Sequence, residues 1–215
     1  MKQEIKILLG IGIVTAAILF GAIFLLGQQS SSSQNAKSVD QSLLIRENSN
    51  KLGSDSAKIK FVEFGDLQCP ACGQAYPVVK RVISDYNGKI LFVFRNFPLS
   101  IHQNSQVAAE AAEAAGAQGK YWEMNEMLYQ NQGAWSASNS VLDVFTDYAK
   151  TLKLDTEKFK QDVKDNKFAK KIQDDTNDGV ALGVNATPTF YLNGKQIVGV
   201  PSYDSLKKEI DNLLK

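Results

Sequence analysis

Apolar and polar positions divide this chain into stretches with different rhythms. Residues 7–27, ILLGIGIVTAAILFGAIFLLG, form a run of 21 residues without a charge. At about 1.5 Å per residue such a helix spans roughly 30 Å, the thickness of a bilayer core. Residues 28–41 are Ser- and Gln-rich, hold too little apolar surface to fold, and read as a flexible linker. SLLIREN (42–48) is a short apolar segment, expected as an extended arm. KIKFVEF (58–64) alternates and is rich in Val, Ile and Phe, which predicts a strand. From Cys69 to Asn87 the period changes: Ala75, Val78, Val79, Val82, Ile83 and Tyr86 share one helical face, and Pro77 predicts a kink within it. KILFVFRNF (89–97) is apolar enough for a strand buried in a sheet, so the three segments make a βαβ unit.

The next 80 residues or so, about 100–182, read as an all-helical block broken at Gly, Asp and Asn. Strand signals return in TPTFYLNGKQIVGV (187–200), two short runs around the turn pair Asn193-Gly194. SYDSLKKEIDNLLK (202–215) closes the chain as a helix, with Ser202 or Asp204 as its N-cap. The pattern predicts an α/β domain over 42–215, its sheet interrupted by a helical insertion and preceded by a transmembrane helix.

Charge adds a direction. Lys2 and Lys6 precede the apolar run and few positive charges follow it, which places residues 1–6 in the cytoplasm and the rest outside. The run is longer than a usual signal-peptide core and has no clear small-x-small cleavage site after it, so an uncleaved single-pass anchor is favoured over an exported, processed chain. The 24 Lys+Arg and 23 Asp+Glu nearly cancel, giving no reason to expect nucleic acid as a partner. The Lys/Asp-rich run 158–178 reads as a solvated helical face.

Candidate chemistry sits in FGDLQCPACGQAYP (64–77), which holds both cysteines of the chain. Pro70 suits the first helical position, which leaves Cys69 at a helix N-terminus, where free N–H groups and the helix dipole stabilise a thiolate. Cys72 lies one turn on, placed to resolve a mixed disulfide on Cys69. Zinc would need about four ligands, and two cysteines with the lone His102 do not supply them. A structural disulfide across so short a loop would constrain little of the unfolded chain. A redox-active Cys69–Cys72 pair is the stronger reading.

FVEFGDLQCPACGQAYP, with TPTFYLNG downstream and helices between, resembles the DsbA-like branch of the thioredoxin superfamily, in particular its membrane-anchored or exported bacterial thiol-disulfide oxidoreductases. The resemblance covers about residue 42 to the C-terminus and implies a thioredoxin fold. It implies that Pro188 is the family's cis-proline and that Thr187 presents its backbone to an extended substrate. It further implies that Glu63 is the buried acid beneath Cys72 and relays its proton; alternation, which puts Phe61 and Glu63 on one face and Val62 and Phe64 on the other, agrees. Arg95, on the neighbouring strand, is a candidate partner for Glu63. Ala71 stands where strongly oxidising relatives carry histidine, so a milder oxidant is expected here. His102 reads as a structural hydrogen-bonding histidine, and Tyr76, Trp122 and Trp135 as core aromatics or groove lining.

The expected activity is the introduction of disulfides into exported thiol proteins, outside the cytoplasm, by dithiol-disulfide exchange at C-P-A-C, with a membrane partner for reoxidation and no metal or organic cofactor. Two other readings stay open: a reductase or isomerase for a particular exported target, and a tethered chaperone or binding module with a structural disulfide.

Overall fold

The computed structural model describes residues 39–215. The expected anchor at 7–27 and most of the linker lie outside the described residues. Among the described residues no helix is long and apolar enough to cross a membrane.

Five strands form one mixed sheet: β1 (Asn50–Leu52), β2 (Ile59–Gly65), β3 (Ile90–Asn96), β4 (Thr189–Leu192) and β5 (Lys195–Val198), in the order β1-β3-β2-β4-β5. β2 and β3 run parallel, as a βαβ crossover requires, and the other pairings are antiparallel. Between β2 and β3 lies α2 (Pro70–Asp85), which continues through Pro77 and buries Cys72, Ala75, Val79 and Val82 on one face. β4 and β5 are joined at Asn193-Gly194, both with positive φ (46° and 87°), the backbone that a tight two-residue hairpin turn needs.

The segment expected as an extended arm is different. It begins with a short helix, α1 (Gln41–Leu44), capped by the Asp40 carboxylate on the Ser42 N–H at 2.9 Å, and β1 follows the segment as an added edge strand beside β3. The apolar signal there reflected burial of Leu44, and a three-residue strand is too short to show a period.

The insertion is all-helical, as its pattern predicts: α3 (Ser105–Gly116), α4 (Tyr121–Gln130), α5 (Gln132–Trp135), α6 (Val141–Thr151), α7 (Thr156–Lys164) and α8 (Ala169–Ala181). α9 (Tyr203–Leu214) ends the fold, with Ser202 accepting the Ser205 N–H as its N-cap.

The sheet has two covered faces. Phe61, Phe92, Phe94, Phe190 and Leu192 point into one core with α2, α9 and the insertion helices, where Trp135 is buried. Val62, Phe64, Leu91, Val93 and Tyr191 point into a second core with Leu44, Phe97 and Val184.

Arg95 belongs to that second face, because it stands in register with Phe64, whereas Glu63 stands in register with Phe94. The two therefore cannot pair through the sheet. Arg95 is fully buried and binds two aspartates of α8 instead: Nε donates to Asp175 at 2.6 Å and a terminal nitrogen to Asp178, while the other terminal nitrogen donates to the Leu43 and Leu44 carbonyls at 2.7 and 2.9 Å. Arg46 adds a second guanidinium to Asp178. Burial pushes the Asp178 carboxyl up, but hydrogen bonds from Arg46 and Arg95 outweigh it and hold it below its ordinary value. The run 158–178 is thus not simply a solvated face: Asp162, Asp175 and Asp178 are buried in ion pairs, which hydropathy by itself counts as exposed charge.

Candidate active site

β2 ends at Gly65, and a turn through Asp66–Gln68 leads directly into α2. The Cys69 N–H closes that turn on the Asp66 carbonyl at 3.0 Å. Cys69 is the N-cap residue of α2 in an extended conformation (φ −67°, ψ 123°), and Pro70 takes the first helical position, as the sequence predicts. The Cys69 carbonyl then accepts the Gly73 N–H at 3.1 Å and starts the helix. Both cysteines are free thiols in this structure.

Their environments differ sharply. Cys72 is fully buried and Cys69 is 7% exposed. The Cys69 pKa is lowered to about 5, first by the hydrogen bond from the Cys72 thiol, against opposition from burial. The backbone N–H groups of Cys72 and Ala71 lower it further. These N–H groups are the unsatisfied donors of the first helical turn, so the helix end acts directly on the sulfur. Cys72 moves the opposite way: burial pushes its thiol far above the ordinary range, and the charges on Cys69 and Glu63 add to it.

Thr187 and Pro188 meet this pair from the N-terminal end of β4. Their peptide bond is cis. The Cys69 thiol donates to the Thr187 carbonyl at 3.4 Å. The buried Thr187 hydroxyl has no partner among the described residues, and the Thr187 N–H donates to no group there. The residues that sequence joins across 118 positions are in direct contact.

Glu63 lies beneath, 3% exposed on the α2 face of the sheet. No described residue hydrogen-bonds to its carboxyl. Burial, with a smaller contribution from the Cys69 charge, raises its pKa to about 8. It borders a cavity of about 130 Å³ between α2, α4 and the sheet, which Tyr76, Trp122, Asn125 and Tyr129 also line. The Tyr129 hydroxyl and the Asn125 amide nitrogen are buried there without partners among the described residues. Glu63 reaches this position only because Gly65 is bare: a Cβ there would lie 2.8 Å from Glu63 Oε1 and 2.6 Å from the Phe94 ring.

His102 is a structural hydrogen-bonding residue. Its Nδ1–H donates to the buried Asp66 carboxylate at 2.7 Å, which also accepts the Gln68 and Leu99 N–H groups at 2.8 and 2.9 Å. Ala71 is half-buried and brings no charge to the site. Trp135 is core, whereas Tyr76 and Trp122 are partly buried and border the Glu63 cavity.

Sequence reasoning missed Asp66, whose backbone N–H contacts the Cys72 sulfur at 3.5 Å, and the glutamines Gln68 and Gln132 that hold the loop. Asp66 and Gln68 flank the cysteine motif and were accessible on that ground. Gln132 lies 63 residues from Cys69 in no motif and carried no signal.

Comparison with known proteins agrees with this arrangement. The Thioredoxin family profile matches residues 46–212. The chain is 36% identical over 173 residues to the probable disulfide bond formation protein D of Bacillus cereus, covering 76% of this chain and 78% of that protein. It is also 37% identical over 159 residues to the Na(+)/H(+) antiporter NhaA 1 of Salinispora arenicola, covering 74% of this chain but 24% of the antiporter. Among solved structures, oxidised BdbD from Bacillus subtilis superposes with a TM-score of 0.70 at 28% identity, over 77% of this chain and 92% of that one. The thiol-disulfide exchange protein α-DsbA2 from Wolbachia pipientis superposes with a TM-score of 0.71 at 25% identity, over 80% and 91%. With a cysteine pair at a helix N-terminus facing a cis-proline, and these relatives on either side, the chain belongs to the thioredoxin family, in its DsbA-like thiol-disulfide oxidoreductase branch.

Proposed function

We propose that this protein exchanges a Cys69–Cys72 disulfide with thiols of exported proteins, with substrate oxidation as the net direction. The observation that carries this reading is the placement of two free thiols one helical turn apart, Cys69 at the N-terminus of α2 against Thr187 and Cys72 fully buried behind it, surroundings that lower Cys69 to about 5 and push Cys72 far up. A stabilised Cys69 thiolate stabilises the reduced protein, so the disulfide form is the oxidant.

In that direction a substrate thiolate attacks Cys69 Sγ. A substrate–Cys69 bond forms, the Cys69–Cys72 bond breaks, and Cys72 leaves with the electron pair. Cys72 must then take a proton, and Glu63, with its pKa near 8, holds one at neutral pH. A second substrate thiolate attacks the substrate sulfur of the mixed disulfide and expels Cys69, a good leaving group because its thiolate is stable. Two electrons have passed from substrate to enzyme. A membrane partner removes them by the same steps in reverse, with Cys69 attacking the partner's disulfide and Glu63 accepting the Cys72 proton. The Thr187 N–H, which donates to no group among the described residues, offers an extended substrate segment beside Pro188 a strand-like hydrogen bond.

The apolar run at 7–27 supports an anchored arrangement, with the domain held outside the cytoplasm by residues 28–41. External protease that spares the domain in intact cells would overturn that placement.

The deciding experiment combines trapping with a potential. Cys72→Ala leaves mixed disulfides on Cys69 unresolved, and exported proteins are the expected catch. The reduction potential of the wild type is expected well above the thioredoxin value of about −270 mV. A value at that level would instead make the protein a reductase.

A further inference from the structure

The helical insertion meets the redox loop through side chains that the exchange chemistry leaves unused. Gln132, the first residue of α5, donates both hydrogens of its amide to the loop, to the Leu67 carbonyl at 2.8 Å and the Cys69 carbonyl at 3.0 Å. A second clamp runs the other way. Gln68 accepts the Asn104 N–H at 2.7 Å and donates to the Ser136 carbonyl at 2.8 Å. The Ser136 hydroxyl in turn donates to the Gln132 carbonyl at 2.6 Å. Loop 67–69, the start of α3 and the α5 turn are therefore one hydrogen-bonded unit.

Gly73 makes room for this contact, since a Cβ there would stand 2.7 Å from Gln132 Oε1. The Cys69 carbonyl that Gln132 holds also accepts the first hydrogen bond of α2. One amide thus fixes the peptide plane from which the helix starts and from which the Cys69 side chain projects.

We propose that Gln132 is a positioning residue for Cys69, holding its peptide so that the sulfur stays over the N-terminus of α2 and beside Thr187, and that through it the helical insertion tunes the redox pair. The proposal rests on the thiol-exchange reading above. Its physical basis is that thiolate stabilisation by backbone N–H groups falls off steeply with misalignment. A Cys69 peptide free to rock loses it without losing the fold.

The test uses Gln132→Met, which keeps the length of the side chain and removes its donors, in the full chain. Thiolate absorbance against pH is expected to place Cys69 about one unit higher than in the wild type. Equilibration with glutathione is expected to shift about tenfold toward the disulfide form, which is about 30 mV more negative. Gly73→Ala, which crowds the Gln132 amide from the opposite side, is the second variant should Gln132→Met fail to fold, and it is expected to move both readouts in the same direction. A folded variant with wild-type titration and potential overturns the role of Gln132 alone. Ordinary thiol acidity of Cys69 in the wild type overturns the exchange reading instead.

Discussion

One sheet carries two buried ionisable sites on neighbouring strands, and they are built on opposite principles. On one face Arg95 is fully buried and fully paired, with Asp175, Asp178 and two backbone carbonyls taking its donors. On the other face Glu63 is equally buried, has no hydrogen-bonding partner among the described residues, and its pKa rises to about 8. Pairing keeps the first site charged and inert; the lack of a partner gives the second a proton that can be exchanged near neutral pH. Burial of a charge by itself therefore does not mark chemistry. An unmatched one beside a reactive sulfur does.

The largest expected effect breaks the paired side. Arg95→Ala removes the guanidinium from buried Asp175 and leaves Asp178 with Arg46 alone, which costs about 3–5 kcal/mol. Thermal unfolding of the variant should begin at least several degrees earlier, while the Cys69 titration of the folded fraction stays in place. A variant as stable as the wild type would remove the contrast on its structural side.

The unpaired side predicts the opposite sign. Because the folded pKa of Glu63 lies above its ordinary value of 4.5, its ionisation adds no cost below about pH 4.5 and destabilises the fold progressively as the pH rises toward 8. Glu63→Gln should therefore gain roughly 2–3 kcal/mol at pH 7 and flatten the loss of stability between pH 5 and 8. The same variant should slow the attack of Cys72 on a mixed disulfide at Cys69, the reoxidation step in which Glu63 takes the Cys72 proton, by about 10²-fold, the low end of general acid–base contributions. Stopped-flow kinetics and denaturant titrations at several pH values read the two effects separately. Unaltered resolution would leave Glu63 as strain without a role.

Two smaller effects sharpen the redox side. Alkylation of Cys69 in the reduced protein should rise with pH through an inflection near 5 and level off above it. An inflection near 8.5, the value of a free cysteine, would mean that the helix end does not act on the sulfur. Ala71→His adds a cationic group beside the thiolate and should lower that inflection further and raise the potential, by tens of millivolts. Equal titration curves for the two proteins would reject Ala71 as the reason for a milder oxidant.

Much of the candidate site was legible because it is local. Cys69, Pro70 and Cys72 need only a strand, a turn and a helix start to acquire their geometry, and all three follow from neighbouring residues. The buried position of Glu63 came from resemblance, and alternation of two added only that it shares a face with Phe61, which lies in the core with α2. Thr187 and Pro188 came from resemblance, since nothing in their neighbours says that β4 lies against the cysteine pair.

What escaped was long-range and polar. Arg95 invited pairing with Glu63 by proximity in the sheet, but a one-residue step along a strand reverses the face. Asp175 and Asp178 looked like solvent-facing charge because a sequence window sees composition and not the guanidinium on another element. Gln132 had no periodicity or motif to announce it, and amide side chains are commonly surface residues.

Backbone propensity and apolar spacing within a few residues are enough to set the α/β pattern, the helical insertion and the start of α2 at the cysteines. Which buried charges are matched, which carbonyl each glutamine holds, and the contact of Thr187 with Cys69 emerge only once the chain is folded. Those outcomes depend on hydrogen-bond partners brought together across tens to more than a hundred positions, and such interactions act over a few ångströms in space with no trace in the spacing along the chain.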